Sequence, residues 1–160
     1  MATDIFIKFS PKVEGEATDS KHKGEIEIMS YGFGVTNQGT SGHGTGAGAG
    51  KADFQDLHFT KSVDKSSPNL LKFAAEGKHF EETLITVRKA GGGQQEYLKI
   101  TLNDVFITSF HSDGHSGAVP TESFTLNFTK VKLEYSPQKA DGSLDPSISG
   151  GYDVKENKSF

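Results

Sequence analysis

Glu25–Val35 reads EIEIMSYGFGV. In an extended chain, successive side chains point to opposite faces. Ile26 and Ile28 then share one face, while Met29, Tyr31, Phe33 and Val35 share the other. The apolar face changes sides at Ile28–Met29. A strand of strict period two does this only by inserting a residue or by turning a corner between packed sheets. The same change recurs elsewhere. Phe54 is out of phase with Leu57 and Phe59. Leu98, Ile100 and Leu102 are out of phase with Val105 and Ile107, and Phe124, Leu126 and Phe128 with Val131, Leu133 and Tyr135. Near the start, Ile5, Ile7 and Phe9 keep plain alternation. A flat sheet has no use for so many reversals. The pattern predicts a mainly β chain: a small antiparallel β-barrel, or two packed sheets, built from bent strands.

One helix is expected, docked on the side of the sheets. Ser67 suits an N-cap, Pro68 the first helical position, and Gly77 the position after the last turn. Leu70, Phe73 and Ala74 form one apolar stripe. About ten residues of helix are marginal alone, so this stripe must face the sheets. Ala90–Gly93 reads as a hairpin turn, His111–Pro120 as a polar loop, and Ser136–Gly151 as an irregular connection to a last strand near Tyr152 and Val154.

The 160 residues fit one domain, residues 1–160. Only 33% are hydrophobic, and twelve are Phe. That is a lean core, more suited to sheets with wet outer faces than to a helical bundle. Seventeen basic and twenty-one acidic side chains are dispersed, with no basic stripe for phosphates. Nucleic acid is therefore not expected as a partner. No apolar run is long enough to insert in a bilayer. Cys is absent, which excludes disulfides and thiol chemistry. The opening MATDIFIK has no basic stretch followed by an apolar one. The expectation is synthesis in the cytoplasm, with any export by a route that reads no cleavable leader.

Several patterns suggest chemistry and then lose it. Thr36–Lys51 contains Gly39, Gly42, Gly44, Gly46, Gly48 and Gly50 and ends in Gly-Lys. A phosphate-binding loop would need Gly where Thr45 stands and Ser or Thr where Ala52 stands. It would also need a helix to follow, and a strand is expected instead. Gly44, Gly46 and Ala49 match a relaxed dinucleotide fingerprint, but no βαβ unit surrounds them. His111 and His115 have the spacing of a helical zinc pair, yet Ser112, Asp113 and Gly114 lie between them and no third ligand follows. Glu81 and Glu82 are adjacent on a strand and point apart. His79 reads as a packing or capping residue. No Gly-x-Ser-x-Gly elbow occurs. The residues thus predict no catalytic group, cofactor or metal.

Six blocks in order carry a resemblance. They are Asp4–Lys8; the Gly-rich insert before Lys51; Asp56–Lys61 with Asp64–Leu70 and Gly77–Phe80; Val87–Gly92 with Glu96–Leu98; Leu126–Phe128; and Tyr135–Gly142. Together they resemble the haemolysin-coregulated protein (Hcp) family of bacterial type VI secretion, from near residue 4 to near residue 155. The resemblance implies two packed antiparallel sheets with one helix on the side. It implies a homohexameric ring with an open channel, and rings stacked into a tube inside a contractile sheath beneath a spike. Contraction expels the tube to the outside, and effectors travel in the channel. The implied partners are copies of the same chain, the sheath, the spike protein and effectors. The chain resembles the plain structural form without an added toxin domain, and not an enzyme. Gly39, Gly42, His43, Gly44, Gly46, Gly48, Gly50 and Lys51 form the arm expected to contact a neighbouring subunit or ring. The alternative is a monomeric secreted or periplasmic β-barrel that binds a ligand inside.

Overall fold

The computed structural model describes residues 2–39, 49–91 and 93–160. The first sheet grows around β1 (Thr3–Ser10), which pairs antiparallel with β2 (Ile26–Ile28) on one side and β7 (His79–Lys89) on the other. β7 pairs with the long β8 (Glu96–Asp113), followed by β10 (Lys130–Tyr135), β11 (Ile148–Asp153) and the short β12 (Lys158–Ser159). The second sheet runs β3 (Ser30–Gly32), β6 (Leu57–Ser62), β9 (Thr121–Asn127), then the far half of β8.

Two corners join the sheets. The first is Met29, between β2 and β3, where the chain leaves Ile5 and Ile7 and takes up Thr60 and Phe59. The second is Asp104. Residues 98–103 pair with β10, and residues 106–113 pair with β9. Asp104 sits at the bend with φ 49, a left-handed conformation that Asp tolerates better than most residues. The result is two packed sheets sharing β8, and not a ladder closed all the way round.

Both corners fall on phase reversals read from the sequence. The other two reversals have a different cause. The break between Phe54 and Leu57 separates β5 (Ala49–Phe54) from β6, and the break after Phe128 separates β9 from β10. A chain end and a bent strand leave the same mark on apolar periodicity. The apolar face after the first corner is also shorter than expected. Tyr31 and Phe33 pack on the core, but Met29 and Val35 are exposed.

The core lies between the sheets. Ile7, Phe9, Ile85, Ile100 and Leu102 meet Leu57, Phe59, Phe124 and Leu126. Phe9 lies 4.8 Å from Phe80, and Phe59 is stacked 4.9 Å from Phe124. Each such ring contributes about 1.5–3 kcal/mol by leaving water. This interior is filled by side chains.

The helix α1 (Ser67–Glu76) closes one flank, with Leu70 buried and Phe73 edge-on to Phe80 at 5.9 Å. Its N-cap is Ser66, one residue before the expected Ser67. Ser67 instead accepts from the Asp64 N–H and from Lys61 Nζ. Gly77 ends the helix in the left-handed conformation, as expected. The last strands also differ from expectation: β11 begins at Ile148, and Val154 lies past its end.

Candidate functional site

Three surfaces outside the core have the organisation of functional sites. The first is the outward face of the second sheet. Along β9, Phe124 and Leu126 point inward, so Thr121, Ser123, Thr125 and Asn127 point out. Along β6, His58, Thr60 and Ser62 point out between Leu57, Phe59 and Lys61. Register places Ser109, His111 and Asp113 of β8 beside Thr125, Ser123 and Thr121, and Ser30 of β3 beside Thr60. The face is paved with short hydroxyl side chains and carries no Lys or Arg at these positions. The hydroxyls bond to one another: Ser109 Oγ lies 2.6 Å and Thr108 Oγ1 2.7 Å from Thr125 Oγ1, and Ser30 bonds Thr60. Asp56 accepts from Thr108 at 2.7 Å and from Asn127 at 3.0 Å. Such a face is wet and, with Asp56 and Asp113 and no Lys or Arg at these positions, mildly acidic. It offers mostly weak hydroxyl hydrogen bonds.

The second is a hairpin of β4 (Val35–Gly39) and β5. All five residues of β4 are exposed. Register slips between Asn37 and Gly39, a bulge at the point where the strands lead outward. Gly50 is required there, since a Cβ would lie 2.5 Å from the Gln38 carbonyl oxygen. The base of the hairpin is anchored by Phe54, which packs on Tyr152 at 5.4 Å and Phe128 at 6.0 Å. Of the expected arm, Gly39, Gly50 and Lys51 lie on this hairpin. Gly42, His43, Gly44, Gly46 and Gly48 lie outside the described residues.

The third is a strap, residues 11–25, laid over the outer face of β1. His22 stacks flat on Phe6, with ring centroids 4.4 Å apart. Its Nδ1 is 2.8 Å from Glu25 and its Nε2 2.7 Å from Glu96. Arg88 donates to both Asp19 carboxylate oxygens, at 2.9 and 2.6 Å, and lies over the Phe6 ring. The Arg88 hydrogen bonds, helped by the Lys21 backbone N–H, hold the Asp19 carboxyl down at about 2. The same bonds to Asp19 push the Arg88 guanidinium up. These groups fasten the strap and are spent on one another.

The other sequence candidates are dispersed. His111, expected to open a loop, is still on β8, which runs on to Asp113, and its Nε2 is 3.2 Å from Asp113. His115 contacts the Ser116 carbonyl and is exposed. His79 opens β7 beside Phe106, 5.4 Å between rings. Glu81 and Glu82 are both exposed on β7. Among the described residues, no three His, Asp or Glu side chains converge as metal ligands would. No described helix is long and apolar enough to cross a membrane. Sequence reasoning missed the hydroxyl face. Its signal was present: in 121–127 and 57–62 nearly every position between buried Phe and Leu is Ser, Thr, Asn or His.

Comparison with known proteins agrees with this geometry. A family model described as "Type VI secretion system effector, Hcp" matches residues 6–135. Protein Hcp1 of Pseudomonas aeruginosa is 44% identical over 160 residues, covering 98% of each chain. A solved type six secretion system protein superposes with TM-score 0.93 at 31% identity, over 99% of this chain and all of that one. Hcp1 of Salmonella typhimurium superposes with TM-score 0.80 at 34% identity, over 99% of this chain and all of its own.

Proposed function

The chain belongs to the Hcp family of the type VI secretion system, and we propose that it closes into six-membered rings that stack into the tube of that system. The observation that carries this reading is the near full-length match to Hcp1, which includes the hairpin and the last strands. In this reading residues 1–160 act as one structural domain and not as an enzyme. The tube leaves the cell through the secretion system, with sheath, spike and effectors as partners.

The hydroxyl face of the second sheet supplies the channel wall. Cargo that must enter, ride and leave needs weak, replaceable contacts, and a Ser/Thr-rich surface offers them in many positions. A wall rich in one charge would bind complementary cargo tightly and repel the rest. The packed interior, with Phe9, Phe59, Phe80 and Phe124 all buried, supports a structural subunit over a barrel that holds a ligand inside. Ring closure uses head-to-tail contacts between unlike surfaces.

Electron micrographs of the purified protein test the reading. Annular particles with sixfold symmetry are expected. A field of small compact particles at high protein concentration would contradict it. For the wall, Ser123→Trp narrows the channel without touching the core. It should preserve rings and lower effector recovery in the secreted fraction; unchanged recovery would move the wall elsewhere.

A further inference from the structure

The strap over β1 has no regular ladder to hold it. Residues 11–25 contain neither helix nor strand. Gly15 donates to the Gly24 carbonyl, Gly24 to Ala17 and Ala17 to Glu25, so the strap folds back on itself. Little apolar surface fixes it to the body: Val13 and Ala17 are its only buried hydrophobic side chains. Its seat therefore depends on two polar fasteners. One is Asp19 on Arg88. The other is His22, which reaches from the strap to Glu96 on β8.

The His22 fastener depends on a proton. The side chain is buried and lies flat on Phe6. Both ring nitrogens end on carboxylates, Nδ1 on Glu25 at 2.8 Å and Nε2 on Glu96 at 2.7 Å. A neutral imidazole donates at one nitrogen and accepts at the other, while the protonated ring donates at both. Only the protonated ring satisfies both carboxylates. A neutral ring turns a lone pair toward one of them. The other charged groups around His22 are few. Asp19 of the strap is close enough to interact with it. Arg88 of β7 is tied to Asp19, and Lys99 of β8 lies 3.5 Å from Glu96. β1 offers the ring only Phe6. Lys21 and Lys23, on either side of His22, are exposed.

We propose that the strap is a proton-operated latch, fastened by protonated His22 between Glu25 and Glu96 and loosened when that ring loses its proton. The inference goes beyond the tube reading and holds for the subunit in any assembly. Loosening lifts residues 11–25 and uncovers Phe6. The Asp19–Arg88 fastener works the other way, since Asp19, held at about 2, lets go only in strong acid. The strap is thus doubly held in mild acid and singly held in mild alkali.

Hydrogen exchange read by mass spectrometry on the intact assembly tests this. Protection, corrected for the intrinsic rate at each pH, is followed for a peptide from residues 11–25 and for one from β7. Between about pH 5 and pH 8, where imidazoles titrate, strap protection should fall about tenfold, the loss of one hydrogen bond to a charged group. The β7 peptide should not change. Exchange of the His22 ring carbon proton reports the ring's own titration, and its midpoint should coincide with the loosening. Glu96→Gln leaves an amide that can donate or accept, so either form of the ring keeps a partner. That variant should lose most of the pH dependence. Flat strap protection in the wild type would overturn the proposal. So would loosening at a pH away from the His22 midpoint, or a Glu96→Gln protein that keeps the full wild-type change.

Discussion

Lys61 is fully buried, with its ammonium 2.7 Å from Glu122, 2.9 Å from Asp64 and 3.3 Å from Ser67 Oγ. Removing one partner of such a group leaves a charge with no water and no counterion. Lys61→Met should therefore cost about 3–5 kcal/mol in urea denaturation. Adding Glu122→Leu should recover a good part of that loss; a double variant as weak as the single would show that packing, and not the orphaned charge, is responsible. The Asp19–Arg88 pair predicts a pH effect. Asp19 has its carboxyl lowered from 3.8 to about 2 by the Arg88 hydrogen bonds. A lowered carboxylate contributes stability above its unfolded value and loses it as pH falls through the folded one. Wild type should exceed Asp19→Asn in stability near neutral pH, and the gap should close between about pH 4 and pH 2. A gap of constant size across that window would contradict the account. Neither cluster was legible in the sequence. Lys61 reads there as one more dispersed cation, because its partner Glu122 is sixty-one residues away.

Among elements, β8 and the hairpin matter most. The corner in β8 depends on Asp104 holding φ 49 while its carboxylate accepts from Thr129 at 3.0 Å. Asp104→Val should cost at least about 1–2 kcal/mol, since a β-branched residue resists that conformation. Asp104→Gly should cost less, and thermal melts of the two variants give the order. The hairpin makes the opposite prediction. Gly50→Ala sets a Cβ against the Gln38 carbonyl, yet the hairpin lies outside the core. Melting temperature should stay close to wild type while tube formation falls; a large loss of stability would mean that the hairpin is part of the fold. The bends themselves were legible, because the apolar period breaks at Ile28–Met29 and again between Leu102 and Val105. What the period could not tell was which breaks are corners and which are strand ends. That depends on pairing partners: β9 joins β6 and β8, while β10 joins β8 and β11. The helix was legible from Pro68, Gly77 and the Leu70–Ala74 stripe. Its cap moved to Ser66 because Lys61 and Asp64 draw Ser67 into the buried ion cluster.

At the scale of the molecule, the fold separates its surfaces by task. One sheet face is hydroxyl-rich, one end carries the hairpin, and the strap closes part of the remaining sheet. A molecule with unlike surfaces on several sides suits head-to-tail assembly better than a self-complementary pair. The arm was visible in the sequence as a run of glycines. The hydroxyl face did not stand out there, because Ser and Thr at alternate positions look like any solvated sheet face until register sets four strands side by side. The most direct measurement is the mass of the purified chain in solution, by size-exclusion chromatography with light scattering. The account predicts a particle six times the 17.2 kDa chain, persisting on dilution into the micromolar range. A 17.2 kDa particle throughout that range would contradict it.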